Sequence, residues 1–303
     1  MDIQTILHGT LRMATPIALA ALGGLFSHRV GVLNIALEGM MLIAAFTGVI
    51  ASYLTGNIAV AILAAIVGTS FFALLFCFFG ISLKGNFIIT GLAVNIFALG
   101  LTSFILQMAF GRRGVFADPD IVGLGAVDMP WLGKIPFVGT ILNQQTPMVY
   151  ASLVLLVLVW LVLYKTRFGL YIRVIGENEE AARAVGIKVN AYKYAAVFIS
   201  AVLSALAGIN LSLENLSMFV ENMTNGRGFI ALAAIFCGKG TPIGSYIFSF
   251  LFGFADAIQM RLQSFNIPGA FVQMIPFIFI IVILSVVGAV KRKNSTSRGL
   301  YNE

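Results

Sequence analysis

The chain has 303 residues, of which 59% are hydrophobic, 10% charged and 26 Phe. A soluble domain carries about 25% charged residues, so a soluble globular fold is excluded and the bilayer must act as solvent for most of the chain. The net charge of +7 sits mainly in loops and at the C-terminus, the usual bias of cytoplasmic loops, and it gives no support to nucleic-acid binding.

The N-terminal stretch MDIQTILHGTLRM lacks a basic n-region and a cleavage site, so the first apolar run is expected to remain in the protein. Crossing about 30 Å of hydrocarbon takes about 20 helical residues. Runs of that kind occupy 9–27, 31–53, 58–83, 87–110, 147–164, 191–213, 243–262 and 271–290. A further run, 229–237, is too short to cross unaided, and reads as an arm of a broken helix or a re-entrant piece. The expected fold is all-α: a polytopic integral membrane protein with eight to nine spans in one domain, 1–303. Cys77 and Cys237 lie inside apolar runs without metal-type spacing, which makes them packing residues.

Lys/Arg bias sets the orientation. Residues 165–193 carry six basic and three acidic side chains, and the tail 291–303 carries Lys291, Arg292, Lys293 and Arg298 against Glu303. Both are expected in the cytoplasm. The Gly- and Pro-rich loop 111–146 balances Arg112, Arg113 and Lys134 against Asp118, Asp120 and Asp128, and lies one span earlier, so it faces outward. Parity then requires the short run 229–237 to cross. Counting backward puts Lys84, His28 and Arg29 inside and the N-terminus outside, unless the chain re-enters within 24–46.

Three polar, Gly-containing interruptions break the apolar pattern, at 23–39, 84–86 and 238–244. Interrupted segments often mark a transport pathway, while glycine also permits close helix packing; the middle one reads as a tight turn.

Residues 165–193 hold nine of the 31 charged side chains (19 basic plus 12 acidic). Within this island Asn178 is a good N-cap, Glu179 and Glu180 sit in the first turn where the helix dipole favours carboxylates, and Gly186 suits the left-handed stop. A helix of about two turns follows. It is too short to be stable alone, so it must pack on something: either the groove of a partner protein or the headgroup layer.

The island sequence Gly176-Glu177-Asn178-Glu179-Glu180-Ala181-Ala182-Arg183-Ala184-Val185-Gly186-Ile187 resembles the G-x-N-x-x-A-A-x-x-x-G-I loop of ABC-importer permease subunits, in the family serving branched-chain amino acids, ribose-type sugars and nucleosides. Residues 29–41, from Arg29 through Asn34 and Glu38 to Met41, resemble the same family's R-x-G-V-x-N-I-x-x-E-G-x-M signature, and 226–244 resembles its late signature. Three motifs in family order cover about residues 20 to 260, with the nucleoside-uptake branch the closest match. The resemblance implies a multi-pass permease in a prokaryotic cell membrane, embedded in lipid and without an ATPase or bound cofactor of its own. It would pair with a second, non-identical permease subunit, an extracytoplasmic substrate-binding (lipo)protein and a separate ATPase that uses ATP. That ATPase would dock on the loop at Gly176, Glu177, Asn178, Glu179, Glu180, Ala181, Ala182, Arg183, Gly186 and Ile187. Gly238-Lys239-Gly240-Thr241 lacks the spacing of a phosphate-binding loop.

Polar groups within spans are functional candidates because exposing them to hydrocarbon is expensive. They are Asn34, Glu38, Asn95, Gln107, Asp256, Gln259 and Gln273. Asn34 and Glu38, four apart, would share one helix face and either line the path or pin a broken helix to its neighbour. Asp256 and Gln259 share another face, and Asp256 could pair with Arg261 or Lys239. No metal-ligand cluster, proton relay or catalytic pair is present in the sequence, which weighs against a secondary transporter and a membrane enzyme. Phe71-Phe72 and Phe78-Phe79 could stack a nucleobase, but most of the Phe content must face lipid.

Overall fold

The computed structural model describes residues 3–128, 138–262, 271 and 274–285. The helices in order are α1 (Ile3–Arg29), α2 (Leu37–Thr55), α3 (Ile58–Cys77, continued by a π turn at Phe78–Ser82), α4 (Phe87–Phe110), α5 (Val138–Leu142), α6 (Pro147–Lys165), α7 (Arg167–Glu177), α8 (Glu179–Ala184), α9 (Val189–Ile209, continued by a π turn at Asn210–Glu214), α10 (Arg227–Cys237) and α11 (Pro242–Leu262), then α12 (Met274–Ser285). Two short strands, β1 (Val115–Phe116) and β2 (Phe219–Val220), pair antiparallel. Among the described residues seven helices are long and apolar enough to cross a membrane, and α10 and α12 are shorter apolar helices. The fold is all-α and polytopic. The outer parts of the expected run 271–290, Gln273 and the tail 291–303 lie outside the described residues.

Burial sorts the helices into a centre and a rim. Central windows of α1 and α9 are each 78% buried, whereas that of α4 is 22% buried. Phe71, Phe78 and Phe79 are about half exposed on the outer side of α3 and its π turn, so they form lipid-facing surface, and Phe72 packs inward in a stack with Phe97. Hydrocarbon solvates such a rim as readily as a protein interior would, so exposed Phe and Leu here carry no penalty.

Contacts divide the helix ends into two groups. At the end carrying the island, Arg29 Nε donates to the Gly240 carbonyl at 2.6 Å and its Nη2 to the Tyr164 hydroxyl at 3.4 Å, while the Ser82 and Tyr194 hydroxyls meet at 2.6 Å. At the far end, Gln145 Nε2 donates to the His8 carbonyl at 3.1 Å, Ser52 Oγ to the Val122 carbonyl at 2.8 Å, and β1 pairs with β2. In this grouping α10 finishes at the island end and is entered from the far end. The short run therefore crosses with a non-helical first half, which agrees with the parity expected from charge bias.

The second span departs from its expected bounds. Residues 31–36 are not helical, and α2 begins only at Leu37. Gly24 of α1 lies against Leu37, five residues before α1 ends, so the chain turns back along α1 in non-helical form before α2 starts. Apolar composition does not encode chain direction, so the run 31–53 looked continuous. The interruption at 84–86 is the tight turn expected: Lys84 has φ +54°, and the Asn86 carboxamide oxygen caps α4 by accepting from the Ile88 N–H at 2.8 Å.

Candidate functional site

Two regions gather the polar residues singled out by sequence. The first is the island. α7, not foreseen, leads into it: Thr166 caps it, accepting from the Gly169 N–H at 3.2 Å, and Ile172 and Ile175 are buried. The spacing of Phe168, Ile172 and Ile175 is the apolar stripe of an amphipathic helix, a signal that the run of charges obscured.

α8 then forms as its caps dictate. Asn178 is extended, and its Oδ1 accepts from the Ala181 N–H at 2.9 Å. At the other end Gly186 has φ +82°; its N–H donates to the Arg183 carbonyl at 3.0 Å, and the Ile187 N–H donates to the Ala182 carbonyl at 3.1 Å. This paired stop, with a left-handed glycine at its centre, satisfies the last carbonyls of a helix only six residues long. Ala182 is the inward residue, fully buried, while Glu180, Ala181 and Ala184 face out and Val185 is 74% exposed.

Such a short helix needs an anchor, and Glu179 supplies it. One carboxylate oxygen accepts from Lys193 Nζ at 2.6 Å and the other from Arg183 Nη2 at 2.7 Å. Arg183 also reaches the Asn190 side-chain oxygen at 3.1 Å. The first turn of α8 is thereby tied to the first turns of α9, whose Lys193 is nearly buried. The hydrogen bond from Lys193, then that from Arg183, holds the Glu179 carboxyl below its ordinary value of 4.5. Because this value is lowered on folding, the clamp's contribution is complete above pH 4.5 and is lost as pH falls below that, through the lowered value. Limited proteolysis of residues 177–190 at a series of pH values should show constant protection at neutral pH and new cleavage only in this acid window. Beside α8 lies an open groove of about 450 Å3 whose walls include Phe168, Tyr171, Val185, Ile187 and Tyr192. Gly176 abuts α1 so closely that a Cβ there would collide with the Arg29 carbonyl oxygen.

The second region is the break between α1 and α2 and its neighbour α10. Asn34 lies in the non-helical stretch, so it does not share a helix face with Glu38. Its Oδ1 accepts from the Ala36 N–H at 3.1 Å, and its Nδ2 donates to Ser200 Oγ on α9 at 3.1 Å. Asn95 of α4 stitches the same break from the other side, donating to the Ile35 carbonyl at 3.0 Å and accepting from the Gly39 N–H at 2.8 Å. These two amides satisfy backbone groups that the missing helical turn leaves open, which is what membrane burial requires.

Glu38 sits in the first turn of α2 and accepts from two backbone N–H groups at the start of α10, Gly226 at 2.7 Å and Gly228 at 2.6 Å. The buried carboxylate thus stands near the positive ends of two helix dipoles, that of α2 and that of α10, and accepts N–H groups from the start of α10. Gly228 has to be glycine, since a Cβ there would lie 2.5 Å from the Glu38 backbone nitrogen. The early and late signature segments are therefore one structural unit, a link no reading of separate motifs could supply.

Asp256 and Gln259 do share a face of α11, but the cation beside Asp256 is Arg227 at the head of α10, with Nε 3.6 Å from Oδ2, in place of the expected Arg261 or Lys239. They line a hollow of about 260 Å3 together with Asn225, Ile230, Met260, Pro276 and Phe277.

Residues 6–284 match the family described as the permease component of the branched-chain amino acid transport system. The guanosine ABC transporter permease protein NupQ of Bacillus subtilis is 36% identical, covering 94% of this chain and 93% of its own length. The nucleoside ABC transporter permease protein NupC of Lactococcus lactis is 33% identical over 93% and 92% respectively. TsgC13 of Haloferax volcanii, a permease protein named for glucose ABC transport, is 35% identical over 86% of this chain and 79% of its own.

Proposed function

The chain belongs to the permease-component family of the branched-chain amino acid transport system, and from that premise we propose that it forms half of the translocation path of an ATP-driven importer for nucleosides. It is a multi-pass protein of the prokaryotic plasma membrane. Energy comes from a separate ATPase that consumes ATP and docks on α8. The other half of the path is a second, non-identical permease subunit, and solute arrives from an extracytoplasmic binding protein.

The observation that carries this reading is the build of α8. A six-residue helix is capped at both ends, clamped through Glu179 to the span α9, and turned so that its outer face and the adjacent apolar groove are open. A helix this short gains nothing from propensity alone. Its rigidity suits it to receive a push from a partner and pass it to α9, biasing the balance of inward- and outward-open states. Nucleosides as cargo rest on the likeness to NupC and NupQ; the equal likeness to TsgC13 favours simple sugars as the second reading.

Uptake competition with nucleosides, sugars and branched-chain amino acids, with and without ATP depletion, tests the cargo and the energy source together. Nucleosides should compete and depletion should stop transport; uptake that survives depletion, from a tagged chain that never retains an ATPase, sinks the reading. Gly186→Pro and Glu180→Lys should each cut uptake at least about tenfold, since proline is incompatible with positive φ, and the reversed charge alters the docking face. Membrane insertion should stay normal in both, as measured by membrane-fraction yield.

A further inference from the structure

The hollow between α10, α11 and α12 has no part in docking an ATPase, and it gathers charged groups well along two apolar helices. α10 has 11 residues and ends beside Arg29 at the island end, so at 1.5 Å per residue Arg227 lies about 16 Å along the helix from that end. Asp256, 14 residues along α11 from Pro242, lies about 21 Å along by the same measure. Charges within such a helix bundle must face protein or a water-filled cavity.

The geometry leaves the pair loosely joined. Arg227 Nη1 donates to the Met223 carbonyl at 3.2 Å and more weakly to that of Thr224 at 3.5 Å, so the guanidinium is fixed to its own helix entry. Its buried Nε has no hydrogen-bond partner, and 3.6 Å to Asp256 is an ion-pair distance without a bond. Asp256, only 6% exposed, thus lines the hollow without a hydrogen bond from its charge partner, with the Gln259 amide one turn further along the same face. Phe277 also lines the hollow, and its ring approaches Gly226, 3.8 Å from where a Cβ would stand.

We propose that this hollow is a hydroxyl-binding station on the translocation path, which holds the sugar ring of an uncharged polyhydroxylated solute. The assignment deepens, and rests on, the reading of the chain as a path-forming permease. A carboxylate is an acceptor-only group that can take two O–H donors at once, and a glutamine amide offers one donor edge and one acceptor. Arg227 cancels the charge of Asp256, so the station suits a neutral solute. The ring of Phe277 supplies an apolar wall for the face of a sugar or base. At 260 Å3 the hollow falls just below the roughly 300 Å3 at which pockets for drug-sized ligands begin, room for one ring rather than a whole solute. Nucleosides and simple sugars, the two cargo classes of the relatives, share adjacent ring hydroxyls.

The test uses the complete transporter in membranes, comparing initial uptake of uridine with 2′,3′-dideoxyuridine and of ribose with 2-deoxyribose, in the wild type, Asp256→Asn and Gln259→Leu. Each rate is read as variant over wild type for the same solute, which cancels the selectivity of the binding protein. Loss of a hydrogen bond to a charged group should lower the uridine ratio to about one-tenth in Asp256→Asn, and loss of a neutral one to about one-third in Gln259→Leu. The dideoxyuridine ratio should remain within about twofold of unity in both, with the ATPase co-purifying as in the wild type. Equal falls for hydroxylated and deoxy solutes, no fall for either, or failure of both variants to assemble would assign these residues to structure and overturn the proposal. If Asp256→Asn alone fails to assemble, the Gln259→Leu ratios decide. A wild-type transporter that moves ribose but no nucleoside ends the nucleoside reading, while the ribose pair still tests the hollow. One that moves neither ends both.

Discussion

Glu38→Ala is expected to deplete the protein from the membrane. The substitution removes the acceptor from the buried Gly228 N–H, at about 1–3 kcal/mol, and from the part-buried Gly226 N–H, at less than that. Proteins are stable by only about 5–15 kcal/mol, so the loss is severe. The carboxylate also neutralises two helix N-termini, an effect alanine cannot replace. Glu38→Gln keeps one acceptor oxygen but turns an amide N–H towards a backbone N–H, and should fall between the two. Thermal unfolding of the detergent-solubilised chain, read alongside its steady-state level in membranes, orders the three. Wild-type behaviour of Glu38→Ala would mean that the α2–α10 junction does not hold the fold.

Reversing the clamp on α8 should uncouple transport without dismantling the protein. Glu179→Lys sets a cation beside Lys193 and Arg183 and at the positive end of a helix; Lys193→Glu puts two carboxylates together. Each should lower uptake about tenfold, while the double swap Glu179→Lys with Lys193→Glu should recover a factor of about two to ten, the usual size of coupling between contacting residues. Recovery stays incomplete, because the swap also removes the Arg183 bond and the N-terminal carboxylate. Strictly additive losses in the double variant, with the ATPase still bound, would remove the clamp from the coupling route.

Span positions and the short island helix were legible in the sequence because both rest on local rules. Hydropathy places α3, α4 and α6 to within a residue or two, and Asn178 and Gly186 mark the ends of α8 through cap chemistry confined to a few positions. What escaped is non-local. Glu38 meets Gly226 and Gly228 across 188 and 190 residues, and Asp256 meets Arg227 through the packing of α10 on α11. Asn34 and Glu38 stand four apart, a spacing that means a shared face only within a helix, and the helix begins at Leu37. α7 was hidden for another reason: its Arg-bearing face lies in an island whose charge pointed to the cytoplasm, although its apolar stripe was there to be counted.

The junction at Glu38 has a consequence for how the protein is made. Its carboxylate is synthesised 188 residues before the amide of Gly226, and at about 5–20 residues per second that gap lasts about 10–40 s. Throughout that interval α2 is finished while its acidic side chain still lacks the helix end that neutralises it. A nascent α2 carrying an unmatched carboxylate has reason to stay beside the insertion machinery until α10 arrives. Ribosome-bound chains truncated before residue 226 should therefore crosslink through α2 to the insertion channel, and those extended past 262 should not.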